Sequence, residues 1–442
     1  MIGAGVFTTS GYSFAGLENR SLVMWAWFIA GMIAICGAIS YGQLARRITE
    51  SGGEYTFLSR AVHPSIGFIA GWVSLLAGFT GAIAFAALTF EQYAFPADLR
   101  PTWYPRGGLA IAVLLVFGLL HGLKMRSGLA TQNLVVFIKL GLLVAFLIYA
   151  FTLLPAGQWP GITIESSESS FSFAAFANAL VWISLSYSGF NAAVYVAAEV
   201  RSPRKNVPLA LGIGTVLVMA IYLALNFVFL FAADPTLIFG KEDIAAITAN
   251  ALGGTNLEIM VRVIIALAMA SSVSSMVVAG PRVYAKMAED GVFPKFLAAN
   301  SRDGNMAVPQ SSIQLQIILA TVVILATQLK DLLDYLGFTL SISAALTVAC
   351  LFWVGRSKSD KYPFVVWTIA LIYVSATLVV AVASLQSGNQ LSLERVGLSF
   401  SIPIKLIVFV GTCLTGIVAW CLLSTLNLIR SPSSTERSQD QD

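Results

Sequence analysis

The chain is 442 residues long, 57% hydrophobic and only 11% charged, with a formal net charge of +4. So little charge cannot solvate a globule of this size, which excludes a water-soluble protein and leaves a polytopic membrane protein. The small positive balance follows from a bias among the loops, so it implies no nucleic-acid partner. Cys36, Cys350, Cys413 and Cys421 all fall in apolar runs at spacings that suggest neither a zinc site nor a disulfide framework.

In chain order, a short apolar piece, Met1–Leu17, comes first and ends at the polar Glu18-Asn19-Arg20. It lacks a basic leading region, so it does not read as a cleavable signal peptide. Apolar stretches of the length that crosses about 30 Å of hydrocarbon then recur. They lie near Leu22–Leu44, Ile66–Phe90, Leu109–Leu123, Leu129–Leu153, Phe173–Val200, Val207–Phe231, Leu257–Met287, Ile313–Leu329, Tyr335–Val354, Phe364–Leu385 and Ile404–Leu428. With the stub as the first span, this predicts twelve transmembrane helices followed by a polar, disordered tail at 430–442.

Alternating the loops across the bilayer divides the 26 Lys and Arg into seventeen on one side, eight on the other, and Lys139 inside a span. By the positive-inside rule the richer side, which holds the C-terminus and the Glu199–Pro208 loop, is cytoplasmic. Localisation in the plasma (inner) membrane is the expectation.

The sixth span is interrupted by Leu185-Ser186-Tyr187-Ser188-Gly189-Phe190-Asn191. Gly, Ser and Asn at mid-depth expose backbone groups, which is tolerated where those groups are satisfied again or line a cavity. The stub carries a similar cluster, Gly3-Ala4-Gly5. One such cluster alone reads as close helix packing. Two of them, five spans apart, are the mark of a repeat that inserts in opposite orientations, with a binding site where the repeats meet.

Helix termini supply the chemistry. The N–H groups of a helix restarting after Gly3–Gly5 attract a carboxylate, and carbonyls freed near Leu185–Ser188 attract an ammonium. A zwitterion satisfies both, and an α-amino acid is the smallest common one.

At these residues the chain resembles the amino acid–polyamine–organocation superfamily, near the L-type amino acid transporters and bacterial proton-coupled permeases. The resemblance rests on Ile2–Phe7, Tyr41–Ala45 with Ser51–Tyr55, Tyr187–Asn191 running into Glu199–Pro208, and Arg282–Pro294. It implies an all-α, LeuT-like membrane fold. Two inverted five-helix repeats (1–154 and 155–356) would be followed by two C-terminal helices (357–429). It further implies that substrate carboxylate binds Ile2, Gly3, Ala4 and Gly5, that the α-amino group meets carbonyls of Leu185, Ser186 and Ser188, and that Asn191 belongs to the site or its gate. The family often has an aromatic residue where this chain has Leu185 and Gly where it has Ser188, so one relative's preference does not transfer.

Lys139 lies about twelve residues, roughly 18 Å, into its helix, too deep to reach the interface. Intramembrane lysines are costly and face a cavity or a partner. By the resemblance, Lys139 takes the place of sodium and contacts hydroxyls among Ser271, Ser272, Ser274 and Ser275. Two uses stay open: proton exchange during transport, or a permanent positive tie between helices.

Arg46, Arg47, Glu54 and Arg60, with Glu199, Arg201 and Arg204, are expected either as inward-gate ion pairs or as solvated loop charges. His63 and His121 suggest no metal pair, and no cofactor is called for. The motifs of intramembrane proteases and ATP-binding loops are absent from the sequence.

The reading is therefore secondary transport of an amino acid by alternating access, as proton-coupled symport, with a neutral substrate preferred because no acidic partner for a dibasic one is evident. An exchanger or a non-transporting sensor of the same fold are the alternatives. No heavy-chain partner is expected, and the oligomeric state is not encoded legibly. The stub starts so close to its glycine break that half a helix precedes it nowhere in this sequence, and a start further upstream is the expectation.

Overall fold

A computed structural model describes residues 3–96, 99–123, 128–154, 171–298, 309–354, 362–388, 390–392, 401–426 and 428; Ile2, several loops and the tail lie outside them. Helix α1 (Gly5–Leu17) ends on Glu18 in a left-handed conformation (φ 51°). Helix α2 (Arg20–Arg47) starts where the Asn19 side chain accepts from the Leu22 N–H, and it places Arg46 and Arg47 in its last turn, where they complement the helix dipole. Helix α3 (Gly53–Ala61) follows Gly52 at φ 122°, a conformation that only glycine adopts without strain.

The third span is helix α4 (Pro64–Val73), a π-helical segment (Ser74–Gly81), and α5 (Ala82–Ala94) in continuous succession. His63 caps it by accepting from the Ser65 N–H, with Pro64 at the first turn. Helices α6 (Gly108–Leu123) and α7 (Gly128–Leu153) come next. Helix α8 (Phe173–Tyr187) then tightens into a 3-10 segment (Ser188–Glu199), and α9 (Pro203–Phe231) runs on after it.

A short helix α10 (Pro235–Ile238) precedes α11 (Ile244–Glu289), which is kinked at Gly253 and Gly254, the latter at φ 68°. The apolar run starting at Leu257 predicts only the later part; the glycine pair carries an additional arm, Ile244–Leu252, whose Ala, Ile and Thr side chains pack inward. Helices α12 (Gln310–Ala326), α13 (Leu329–Ala349), α14 (Leu351–Val354) and α15 (Phe364–Ser384) lead to a two-stranded antiparallel ribbon, β1 (Gln390–Ser392) and β2 (Ser401–Pro403), and then α16 (Ile404–Thr425). The ribbon was not anticipated.

Among the described residues, nine helices are long and apolar enough to cross a membrane, and two more, Gly108–Gly122 and Gln310–Ala326, are shorter apolar helices. The chain is an all-α multi-pass membrane protein of the LeuT-like class. Exposed Leu, Ile, Val and Phe on α6, α7, α9, α15 and α16 form its lipid-facing surface, while the largest buried rings, Trp27, Tyr41, Tyr93 and Tyr222, lie toward the centre. Helix α1 packs on α8, and α2 packs along α9. The contact of α1 with α8 is close because of Gly5: a Cβ there would stand 3.0 Å from the Ser186 Cα.

Candidate functional site

The two breaks meet through a tyrosine. The Gly3 N–H donates to Tyr222 Oη at 3.2 Å, and the Tyr222 hydroxyl donates to the Ser186 carbonyl at 3.2 Å. Tyr222 is fully buried, on α9, and its ring packs edge-on against Trp27 and tilted against Tyr187. One hydroxyl thus touches both groups assigned to substrate from sequence, the amide for a carboxylate and the carbonyl for an ammonium. Nearby, the buried Ser186 hydroxyl has no hydrogen-bond partner among the described residues. An orphaned buried hydroxyl beside a helix start is the kind of group a ligand satisfies.

The break in the sixth span is a change of helix type, not an unwinding. The Leu185 carbonyl accepts from both the Ser188 N–H and, at 2.7 Å, the Ser188 hydroxyl, so it is not bare. The Ser188 side chain therefore caps the carbonyl three residues before it. Tyr222→Phe is expected to leave the Gly3 N–H and the Ser186 carbonyl without their shared partner. At about 1–2 kcal/mol for such a loss in the empty protein, and with substrate supplying both partners once bound, substrate affinity is expected to rise by roughly tenfold, which binding of labelled amino acid checks.

A cavity of about 150 Å³ lies on the other side of α8. It holds Leu185, Ser188 and Asn191 but not Gly3, Ala4 or Gly5, so one of the two assigned poles faces it and the other does not. That volume holds several water-sized groups, enough for a small metabolite. Hydroxyls of Ser74, Ser184, Ser341 and Thr377 and the rings of Phe79, Phe190 and Tyr373 complete the wall. Ser74 and Phe79 reach it from the π-helical segment, a helix type concentrated at functional sites.

The cavity also contains a carboxylate that was assigned elsewhere from sequence. Glu54 is 5% exposed and accepts from Asn191 Nδ2 at 2.6 Å and Tyr41 Oη at 3.1 Å on one oxygen, and from Tyr195 Oη at 2.6 Å on the other. It is not a solvated loop charge, and among the described residues it makes no ion pair. The start of α3 is drawn in by Gly53, which lies against the Tyr195 ring, so the carboxylate enters the bundle interior instead of the loop. The Ser51–Tyr55 motif contained this residue; its burial depends on donors from α2 and the 3-10 segment.

Of the residues expected as inward-gate ion pairs, Arg60 and Glu199 do pair, with partners the expectation did not name. Arg282 pairs with Glu199 at 3.0 Å, Arg60 with Glu50 at 2.8 Å and Asp290 at 3.2 Å, and Lys286 with Asp290 at 2.9 Å. Arg47 instead donates to the Val354 carbonyl and stacks on Tyr362, while Arg46, Arg201 and Arg204 are exposed or partly so. Arg60 is the main influence holding the Glu50 carboxyl below its ordinary value of 4.5. A depressed carboxylate stabilises the fold above its unfolded value and loses that contribution as pH falls through the folded one. Both side chains are about two-fifths exposed, so Glu50→Gln is expected to cost under about 1 kcal/mol at neutral pH and progressively less as pH falls below the ordinary value of 4.5, read from thermal melts across that range.

Lys139 is buried in α7 at 7% exposed, and α7 packs on α11. Of the hydroxyls the resemblance offers it, Ser272 donates to the Ala268 carbonyl and Ser275 to the Ser271 carbonyl, both within α11. Ser274 lies 2.8 Å from His121 Nε2 on α6, a contact no sequence feature announced. None of Lys139, Ser271, Ser274 and Ser275 lines the central cavity, although Met276 and Ala279 of the same helix do. No group of three or more metal-ligating side chains occurs among the described residues, and the four cysteines are free thiols.

A family model described as amino acid permease matches residues 1–418. The chain belongs to the amino acid permease family. The permease is 24% identical to human b(0,+)-type amino acid transporter 1 over 400 residues, covering 86% of this chain and 79% of that protein. It is 28% identical to the mouse protein of the same name over 252 residues, 55% of this chain, and there it spans about half, 51%, of the relative's own length. Human large neutral amino acids transporter small subunit 2 is 24% identical over 356 residues, 79% of this chain and 66% of that protein. The permease is therefore a membrane transport protein of the amino acid class and not an enzyme.

Proposed function

We propose that this permease carries a neutral amino acid by alternating access and couples the movement to an inward proton. The observation that carries this reading is Tyr222, whose one hydroxyl joins the Gly3 N–H to the Ser186 carbonyl: the two backbone poles a zwitterion needs lie within one tyrosine's reach of each other. The substrate carboxylate binds the N–H groups of Gly3, Ala4 and Gly5, and the ammonium binds carbonyls around Ser186, taking over what Tyr222 now supplies. Ile2 belongs to the same pole and lies outside the described residues. The side chain extends toward Leu185, Ser188 and the central cavity.

The contacts of α1 with α8 and of α2 with α9 pair the first span with the sixth and the second with the seventh. Such pairing supports two inverted repeats, 1–154 and 155–356, related by an axis through the site. Lys139, with Ser271, Ser274 and Ser275, supplies the coupling proton's site, and the C-terminus is cytoplasmic in a plasma membrane. The neutral preference rests on Glu54 being fully occupied by three internal donors.

Uptake of labelled leucine into proteoliposomes, with and without an inward proton gradient, tests this. Uptake stimulated by the gradient into empty vesicles is the expected result. Uptake only against preloaded amino acid makes the protein an exchanger, and binding with no flux makes it a sensor; either result overturns the proposal.

A further inference from the structure

A second cavity, of about 350 Å³, lies where α13 and α16 begin and α12 ends, against the third span. Leu76, Val323, Leu332 and Val408 make its wall apolar, yet three charged residues line it, the exposed Asp331 and two buried ones of opposite sign, Asp334 and Lys405. By sequence Lys405 reads as a solvated loop cation, but it is 5% exposed, and Asp334 is 9% exposed.

Among the described residues no contact ion pair joins the two, although each lies near enough to feel the other's charge, and the hydrogen bond each makes is to a neutral group. Trp182 Nε1 donates to Asp334 Oδ1 at 2.6 Å, and Lys405 Nζ donates to Asn178 Oδ1 at 2.6 Å. Removing a charge from water costs several kcal/mol, and one hydrogen bond to a neutral partner does not offset that. A molecule bearing an ammonium and an anionic group would compensate both charges at once, and an apolar tail would match the wall.

We propose that this cavity binds a zwitterion with an apolar tail, the ammonium at Asp334 and the anionic group at Lys405. A free amino acid and the headgroup of an aminophospholipid share this chemistry. The site is built into the transport core: Asp334 grips Trp182, whose ring stands edge-on to Tyr12 of α1 at 6.3 Å, one turn before Leu185. The inference stands whether or not the permease moves its substrate, because it concerns binding at a place separate from the central cavity.

Two probes distinguish the sources. Tritiated leucine bound per chain is counted on the purified protein, and phosphatidylethanolamine retained after washing into phosphatidylcholine vesicles is counted by mass spectrometry. Lys405→Met, Asp334→Asn and Val408→Trp are each expected to lose one equivalent of the same probe, with affinity at least tenfold weaker. Asp334→Asn keeps an acceptor for Trp182, and Val408→Trp leaves both charges while filling the cavity with a ring, so loss of binding is separable from loss of fold, which thermal midpoints monitor. Loss of leucine assigns the site to free amino acid; loss of phosphatidylethanolamine assigns it to lipid. Binding of neither probe, or equal binding in all three variants and the parent, overturns the proposal.

Discussion

On the proposed proton coupling, replacing Lys139 with alanine is expected to abolish the dependence of amino acid uptake on an inward proton gradient. A lysine at mid-bilayer costs about 2.5–3.5 kcal/mol, a factor of roughly 100 or more, so its retention in an apolar helix calls for a function. Lys139 is buried, on the helix that packs against α11. Alanine removes both the proton carrier and the charge, so Lys139→Arg separates them: arginine keeps a positive tie but does not release its proton in a protein. Gradient-stimulated uptake is expected to fall to the level without a gradient in both variants. Stimulation that survives in the arginine variant identifies a permanent tie, and stimulation that survives in both removes Lys139 from coupling.

The second large effect is expected at Glu54. Truncation to alanine strips Asn191, Tyr41 and Tyr195 of one shared acceptor and leaves buried donors unsatisfied, at about 1–3 kcal/mol each. These donors tie α2 and the 3-10 half of the sixth span to α3, so the loss is expected as a thermal midpoint lower by several degrees together with faster labelling of a cysteine introduced at Ser188 from the cytoplasmic side. Glu54→Gln keeps the shape but turns one acceptor into a donor facing a donor, and falls between alanine and the parent. A midpoint unchanged in both variants would show that the three contacts carry no net energy.

The spans were legible because a helix in lipid must satisfy its backbone internally and so writes itself as an apolar run of fixed length. Several of their ends moved by only a few residues, from Leu22–Leu44 to Arg20–Arg47, for example, whereas the Leu257–Met287 span gained an arm beginning at Ile244. What was not legible depends on contacts distant in sequence. The π-helical turn at Ser74–Gly81 lies within an otherwise ordinary apolar run. Glu54 sits among arginines and reads as a loop charge until Asn191 and Tyr195, far along the chain, are folded onto it. Tyr222 sits in Ala-Ile-Tyr-Leu-Ala, which looks like any span, and its bond to Gly3 crosses 219 positions. The glycine breaks were visible because helix propensity is local; their partners were not.

The bridge made by Tyr222 bears on the half of the cycle in which nothing is carried. A carrier whose polar backbone is bare when unloaded is held back from crossing without cargo, because the reorientation must drag unsatisfied amides and carbonyls through a dry core. With substrate bound as proposed, an internal hydroxyl would stand in for the cargo, and the unloaded protein would reorient with the Gly3 N–H and the Ser186 carbonyl both bonded. Net accumulation requires such an empty return, and a one-for-one exchanger forbids it; on that proposal the tyrosine the substrate displaces is also what would let the protein come back without one.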